Sequence, residues 1–268
     1  GCIVGGLIGG IVSLKLGRKR GLILAALLFF FSAMGSAMPE MGFKPIGEGD
    51  FSFFWHFVVY RFIGGVGVGL ASMLSPMYIA EIAPANIRGR LVSFNQFAII
   101  FGMLVVYFVN YGIALQGDDS WLNTIGWRWM FASEMIPAGL FLVLLFFVPE
   151  TPRYLVLTGK ENKALGILEK VNGNIKAPEI LSDIKSTIVS HSGKLFSYGT
   201  LIIVVGIFLS VFQQFVGINV VLYYAPEIFK NMGSGTDTAL LQTIIVGAIN
   251  LSFTVVAILS VDKFGRKP

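Results

Sequence analysis

Apolar residues run along this chain in long blocks rather than alternating with polar ones. Six blocks approach or exceed the length of a membrane-crossing helix: Gly21–Met38, Phe53–Ala80, Leu91–Leu115, Trp127–Val148, Thr200–Tyr224 and Ala239–Val261. Each helical residue rises about 1.5 Å, so about 20 apolar residues cross a hydrocarbon core roughly 30 Å thick. Lipid offers backbone amides no partner, which predicts a helix for every block. A seventh block, Gly1–Leu14, is too short to span and reads as a clipped helix; no charged flank precedes it, so it does not match a secretory leader. One segment breaks the pattern. Glu150–Ser197 is long, polar and basic. Within it Leu165, Ile167, Leu168 and Val171 interleave with Lys163, Glu169 and Lys170, and Ile180, Ile184 and Ile188 recur at helical spacing. That spacing predicts two short amphipathic helices rather than a disordered tether.

Composition sharpens the class. The 268 residues are 55% hydrophobic and only 13% charged, and mean hydropathy is +0.77. A soluble domain carries roughly 25% charged residues, so soluble enzymes, nucleic-acid modules and disordered chains are poor fits. One cysteine, Cys2, excludes an internal disulfide framework or a multi-cysteine metal site. The net charge of +5 matters less than its placement. Lys15, Arg18, Lys19 and Arg20 fall on one side of the alternating spans. Arg88 and Arg90 join them, as do the lysines of the 150–197 segment with Arg153, and then Lys263, Arg266 and Lys267. The opposite loops hold only Lys44 and Lys230 among acidic residues such as Glu40, Asp118 and Glu227, while Arg61 and Arg128 lie in or beside spans. By the positive-inside rule the basic side is expected to be cytoplasmic, in a multi-pass protein of the cytoplasmic (inner) membrane.

An internal repeat suggests the larger plan. Lys15-Leu16-Gly17-Arg18-Lys19 recurs 248 residues later as Lys263-Phe264-Gly265-Arg266-Lys267, each copy ending a span on the basic side with six spans between them. Two six-helix halves follow, as in transporters built from repeats. The expected organisation is a first transmembrane half over 1–148 lacking its first helix, a helical linker over 149–198, and the start of a second half over 199–268. On this reading the chain is truncated at both ends.

Several motifs resemble the sugar porter family of the major facilitator superfamily. The segment from Gly9-Gly10 to Lys19 is similar to the loop after the family's second helix, and Arg61-Phe62-Ile63-Gly64-Gly65-Val66-Gly67-Val68-Gly69 to its fourth-helix signature. Glu81 to Arg88 resembles the loop that follows, and Pro149-Glu150-Thr151-Pro152-Arg153 the exit of the sixth helix. Gln213-Gln214-Phe215-Val216-Gly217-Ile218-Asn219 with Tyr223-Tyr224 resembles the seventh-helix sugar motif. The family loop usually carries an acidic residue where Leu14 stands, although Asp262 fills that place in the second copy. The resemblance implies an all-α, twelve-helix membrane fold present here as part of helix two through helix eight. It implies alternating-access transport of D-xylose or a related monosaccharide with a proton, no enzymatic step, no cofactor and no metal. The partners expected are the sugar, the proton and the lipid bilayer, with no nucleic acid and a monomeric state. A facilitative uniporter shares nearly every motif, and an inactive remnant of a transporter is the third reading.

The residues suggest where such chemistry would sit. Sugars are neutral polyols, and amide side chains match paired hydroxyls with donors and acceptors. Gln213, Gln214 and Asn219 cluster in one span, while Gln96 and Asn250 lie deep in two others; the bland alternative is polar glue between helices. Tyr223 is a further candidate that also fits an interfacial tyrosine. Arg61 and Glu134 are charges inside spans, which calls for a mutual partner or a wet cavity: either a static ion pair or a proton-coupled switch. The family resembled places its main proton acceptor in a first helix that this chain does not contain, so Arg61 and Glu134 are expected to tune it. The resemblance also implies a cytoplasmic gate in which Lys15, Arg18, Arg88, Arg153 and Arg266 meet Glu81 and Glu150. The glycines at 64–69 look like a nucleotide loop only superficially, because no strand precedes them, and close helix packing is the expected role. His56 and His191 stand alone.

Overall fold

The computed structural model describes residues 1–44, 51–190 and 200–264, and among them the only regular structure is helical. In chain order the helices are α1 (Cys2–Lys15), α2 (Arg18–Ala37), α3 (Phe54–Ile82), α4 (Arg88–Ala114), α5 (Asp119–Trp121), α6 (Trp127–Ser133), α7 (Met135–Phe147), α8 (Pro152–Leu157), α9 (Glu161–Asn172), α10 (Ala177–Ser190), α11 (Thr200–Phe215), α12 (Ile218–Asn231) and α13 (Thr236–Phe264). Among the described residues six stretches are long and apolar enough to cross a membrane, as the sequence predicts.

Two of them differ from expectation. The fourth starts at Asp119 rather than Trp127. The Asp118 carboxylate accepts the Trp121 amide at 2.8 Å and so caps the helix start, and a π-turn over Leu122–Gly126 carries it into α6. Pro137, without an amide hydrogen, cannot complete the bond to Ser133, so the hydrogen-bond ladder lapses at Glu134 between α6 and α7 while its backbone stays helical, at φ −65° and ψ −20°. The fifth block, read from sequence as one helix over Thr200–Tyr224, is α11 and α12, parted at Val216–Gly217 and extended to Asn231. Gly217 sits at φ +73°, a left-handed conformation that only glycine adopts freely.

The chain forms two compact units. One comprises Gly1–Ile99 and Gly112–Leu181, the other Ile100–Tyr111 and Ser182–Pro268. In the first, α2 is the central helix and packs on α3, α6 and α7; its core is Val12, Leu22, Ala25, Ala26, Leu70, Leu74 and Leu145. Lipid-facing helices gain nothing from hydrophobic segregation, so close van der Waals approach must hold them together. The glycine run of α3 does this on two faces. A Cβ on Gly69 would run into the Cys2 carbonyl and one on Gly5 into the Val66 carbonyl, locking α1 to α3. A Cβ on Gly64 would meet the Ser32 hydroxyl, and one on Gly67 would lie 3.2 Å from the Ala25 carbonyl, seating α2 on the opposite face.

Up to Ser190 the polar segment folds as helices too, and its remainder, with His191, lies outside the described residues. Thr151 caps α8, whose Pro152 stands at its first turn. The two short helices expected from spacing are α9, which buries Ala164 and Leu168, and α10. In the second unit α12 and α13 pack on each other.

This packing makes a clear expectation. Gly69→Leu should lower stability by about 1–3 kcal/mol or more through overpacking against α1. Gly166→Ala in α9, where a Cβ meets open space, should not lower it. Thermal unfolding in detergent, followed by tryptophan fluorescence, separates the two.

Candidate functional site

At the basic end of the first unit, charges and helix termini are organised around the tight turn between α1 and α2. Gly17 adopts φ +90°, and a Cβ there would lie 2.5 Å from Glu150 Oε2 and 2.7 Å from the Tyr154 ring. That close approach lets the Glu150 carboxylate sit on the start of α2. Its Oε1 accepts the amides of Arg18 and Lys19, each at 3.1 Å, and that of Thr151 at 2.9 Å. An acceptor from 132 residues away thus caps the helix, satisfying its orphan donors and matching its dipole. Arg18 turns the other way. Its Nη2 and Nε reach Glu81 Oε1 at 2.7 and 3.2 Å, its Nη1 donates to the Ser13 carbonyl at 3.2 Å, and its guanidinium lies 5.7 Å from the Tyr154 ring centre. The pair is largely buried, with side chains 6% and 13% exposed. The second Glu81 oxygen, Oε2, is buried and has no hydrogen-bond partner among the described residues.

Of the residues expected at a gate, some meet and others do not. Arg18 and Glu81 pair directly, but Glu150 is met by backbone amides rather than by a guanidinium. Arg88 folds back onto the Ala83 carbonyl at 3.3 Å, closing the end of α3. The Lys15 carbonyl accepts the Tyr154 hydroxyl at 3.0 Å, while Lys15 and Arg153 form no ion pair among the described residues. Arg266 lies outside the described residues.

Arg61 and Glu134, expected to find each other, do so: Nη1 stands 3.5 Å from Oε2. The break at Pro137 leaves Glu134 at the junction of α6 and α7, and Phe131 one turn earlier lies 5.0 Å beneath the Arg61 guanidinium. Phe57 and Trp127 pack edge-on to Phe131, which fixes that ring. Both charged side chains remain partly open, at 47% and 41% exposure.

The amides lie in both units. Gln96 is exposed on α4 in the first unit. In the second, Gln213 and Gln214 end α11, Asn219 opens α12 and Tyr223 follows one turn on, all exposed. These residues belong to two helices, not to the single helix expected. The Asn219 amide donates to Gln214 Oε1 at 3.0 Å across the Gly217 break, so the two amides hold each other in register. Asn250 lies half-buried in α13.

A family model described as "Sugar (and other) transporter" matches residues 1–268. The chain belongs to the sugar transporter family. Among relatives of the family, the D-xylose-proton symporter of Escherichia coli strain K12 is 61% identical over 278 residues, covering 100% of this chain and 56% of that protein. The glucose facilitated diffusion protein of Zymomonas mobilis is 40% identical over 272 residues, covering 100% of this chain and 57% of its own length. A solved structure of the proton:xylose symporter XylE of the major facilitator superfamily, bound to 6-bromo-6-deoxy-D-glucose, matches with a TM-score of 0.91 at 60% identity, over 100% of this chain and 58% of that one. Partially occluded inward-open XylE from E. coli matches with a TM-score of 0.89 at 59% identity, over 100% and 61%. The chain thus spans a little over half the length of the curated relatives it matches. Its fold is the all-helical major facilitator fold over that span.

One strong feature of this family member escaped the sequence reading. Glu40, fully buried, pairs with Arg128 Nη1 at 2.6 Å, and the same nitrogen donates to the Ala37 carbonyl at 3.2 Å. The guanidinium also lies 4.7 Å from the Trp127 ring centre. The pair staples the end of α2 to the start of α6, at the end opposite the Arg18 cluster. Its signal was present: two charges at the same ends of neighbouring apolar blocks. Removing one member of a buried pair leaves the other charge desolvated, at a cost of about 3–5 kcal/mol. Arg128→Gln should therefore destabilise the first unit by about that much, and Glu40→Gln added to it should recover much of the loss. Detergent melting curves of the two variants read the difference directly.

Proposed function

We propose that the full-length protein carrying this chain is a D-xylose:proton symporter working by alternating access. The observation that carries this reading is the 61% identity, across the whole chain, with the E. coli D-xylose-proton symporter. In this reading Gln96, Gln213, Gln214, Asn219, Tyr223 and Asn250 bind the sugar, because amides and a phenol can match a neutral polyol hydroxyl by hydroxyl. Support comes from the exposed cluster at the α11–α12 break, where a discontinuous helix presents polar groups at membrane depth.

Arg61 and Glu134 take part in proton coupling. Their separation of 3.5 Å and partial exposure fit a pair that a proton on the carboxylate would discharge, freeing the arginine for another acceptor. Arg18, Glu81 and Glu150, with Lys15, Arg88, Arg153 and Arg266, form the cytoplasmic gate. The buried, unmet Glu81 Oε2 supports a further donor arriving there in one state of the cycle. The basic loops and the 149–198 linker face the cytoplasm, between a membrane half over 1–148 and another beginning at 199, in the inner membrane. The transporter acts as a monomer and performs no enzymatic step.

A second reading, facilitated diffusion of a sugar, is favoured by the 40% identity with the Zymomonas glucose facilitator. The two readings part on energetics. In membrane vesicles, symport accumulates xylose against its gradient when an inward proton gradient is imposed, and collapses when the gradient is dissipated; facilitation only equilibrates it. Glu134→Gln should abolish that accumulation at least tenfold while sparing sugar exchange at equilibrium. Accumulation undiminished by the substitution would remove Glu134 from coupling. Gln213→Ala should raise the KM for xylose by about tenfold, the loss of one or two hydrogen bonds in a dry site.

A further inference from the structure

α12 carries a proline in its middle. Pro226 has no amide hydrogen and its ring crowds the carbonyl four residues back, so the Leu222 carbonyl lacks its helical donor. Leu222 is buried, and at membrane depth no water replaces the missing bond. The Tyr107 hydroxyl, from the middle of α4, donates to that oxygen at 2.9 Å. The phenol reaches it because α13 makes room: a Cβ on Gly247 would lie 2.9 Å from Cδ2 and 3.0 Å from Cε2 of the Tyr107 ring. Three helical segments of the second unit thus meet at one ring. α4 supplies the donor, α12 the freed carbonyl and α13 the glycine beneath it.

α12 needs such an anchor more than its neighbours do. The left-handed Gly217 uncouples its start from α11, and Pro226 removes one bond from its own ladder. Leu222 lies between these two weak points. Asn219 stands three residues before it and Tyr223 immediately after it.

We propose that Tyr107 is a positioning residue: its hydroxyl stands in for the amide that Pro226 lacks, seats α12 against α4, and thereby places Asn219 and Tyr223 for the sugar. The last step rests on the assignment of those two residues as sugar ligands; the seating of α12 does not.

The test is a double-mutant cycle in the full-length protein, using Tyr107→Phe, Pro226→Ala and both together. Tyr107→Phe keeps the ring over Gly247 and removes only the donor. Pro226→Ala returns an amide to the Leu222 carbonyl, making the hydroxyl redundant. Two quantities are read for each: hydrogen–deuterium exchange of the 218–231 amides without sugar, and the dissociation constant for D-xylose. Tyr107→Phe alone should speed exchange and weaken xylose binding by roughly three- to tenfold, the net worth of one intramolecular hydrogen bond. On the Pro226→Ala background the same substitution should change either quantity by less than about twofold. Exchange unaltered by Tyr107→Phe, or equally altered on both backgrounds, overturns the proposal. Faster exchange with unchanged xylose affinity overturns the positioning role. If the unsubstituted protein binds no xylose, the failure belongs to the sugar assignment, and the exchange cycle still decides whether Tyr107 seats α12.

Discussion

Unmet backbone carbonyls are the constraint on which this structure turns. A helix in water leaves its last four carbonyls to solvent, but a helix ending in or near lipid must find protein donors for them. The first unit answers with long cationic and phenolic side chains from other elements. The end of α1 receives Arg18 at the Ser13 carbonyl and Tyr154 at the Lys15 carbonyl. α2 receives Arg128 at Ala37, and α3 receives Arg88 at Ala83. The end of α7 receives Lys19 at Phe146, and the strand of chain beyond it receives Tyr78 at Pro149, 2.8 Å away. Cations at helix C-termini are favoured by the dipole as well, so the arginine and lysine contacts act in two ways at once, while the tyrosines supply only the hydrogen bond.

This changes how the charges at the basic end are understood. A basic loop beside a membrane is accounted for by topology alone, yet Arg18 spends its donors on a carboxylate and a carbonyl, and Arg88 spends two on a single carbonyl. Such residues are structural before they are anything else. A gate built from them inherits that rigidity. On the proposed gate, opening would move intact helix ends with their caps attached, because releasing Arg18 would expose a carbonyl as well as Glu81. Rocking of rigid blocks is the motion such wiring favours.

Spans and packing were legible in the sequence to different depths. Block length alone located the six crossings, since lipid leaves only helices as a solution. The glycines of α3 were legible as packing residues, because small side chains in a span have few other uses. The Arg61–Glu134 pairing was legible from the rarity of charge inside spans. The break at Gly217 was not, because a single apolar-flanked glycine looks the same in a straight helix as in a broken one. Nor was the role of Glu150: the motif pointed to an arginine partner, but its acceptors were claimed by amides made available when Gly17 turned left-handed. Side chain to side chain pairing can be read from a charge pattern. Side chain to backbone pairing depends on where helices end in space.

Backbone breaks also coincide with the residues proposed for function. Pro137 interrupts the ladder beside Glu134, and Gly217 interrupts it between Gln214 and Asn219. Each interruption lies beside polar side chains, Glu134 at one and Gln214 with Asn219 at the other, and these pair with side chains rather than with the freed backbone. A fully regular helix satisfies its own backbone. In a membrane, a break in the backbone ladder leaves polar groups that lipid cannot answer, which is why discontinuous helices can hold a sugar or a proton.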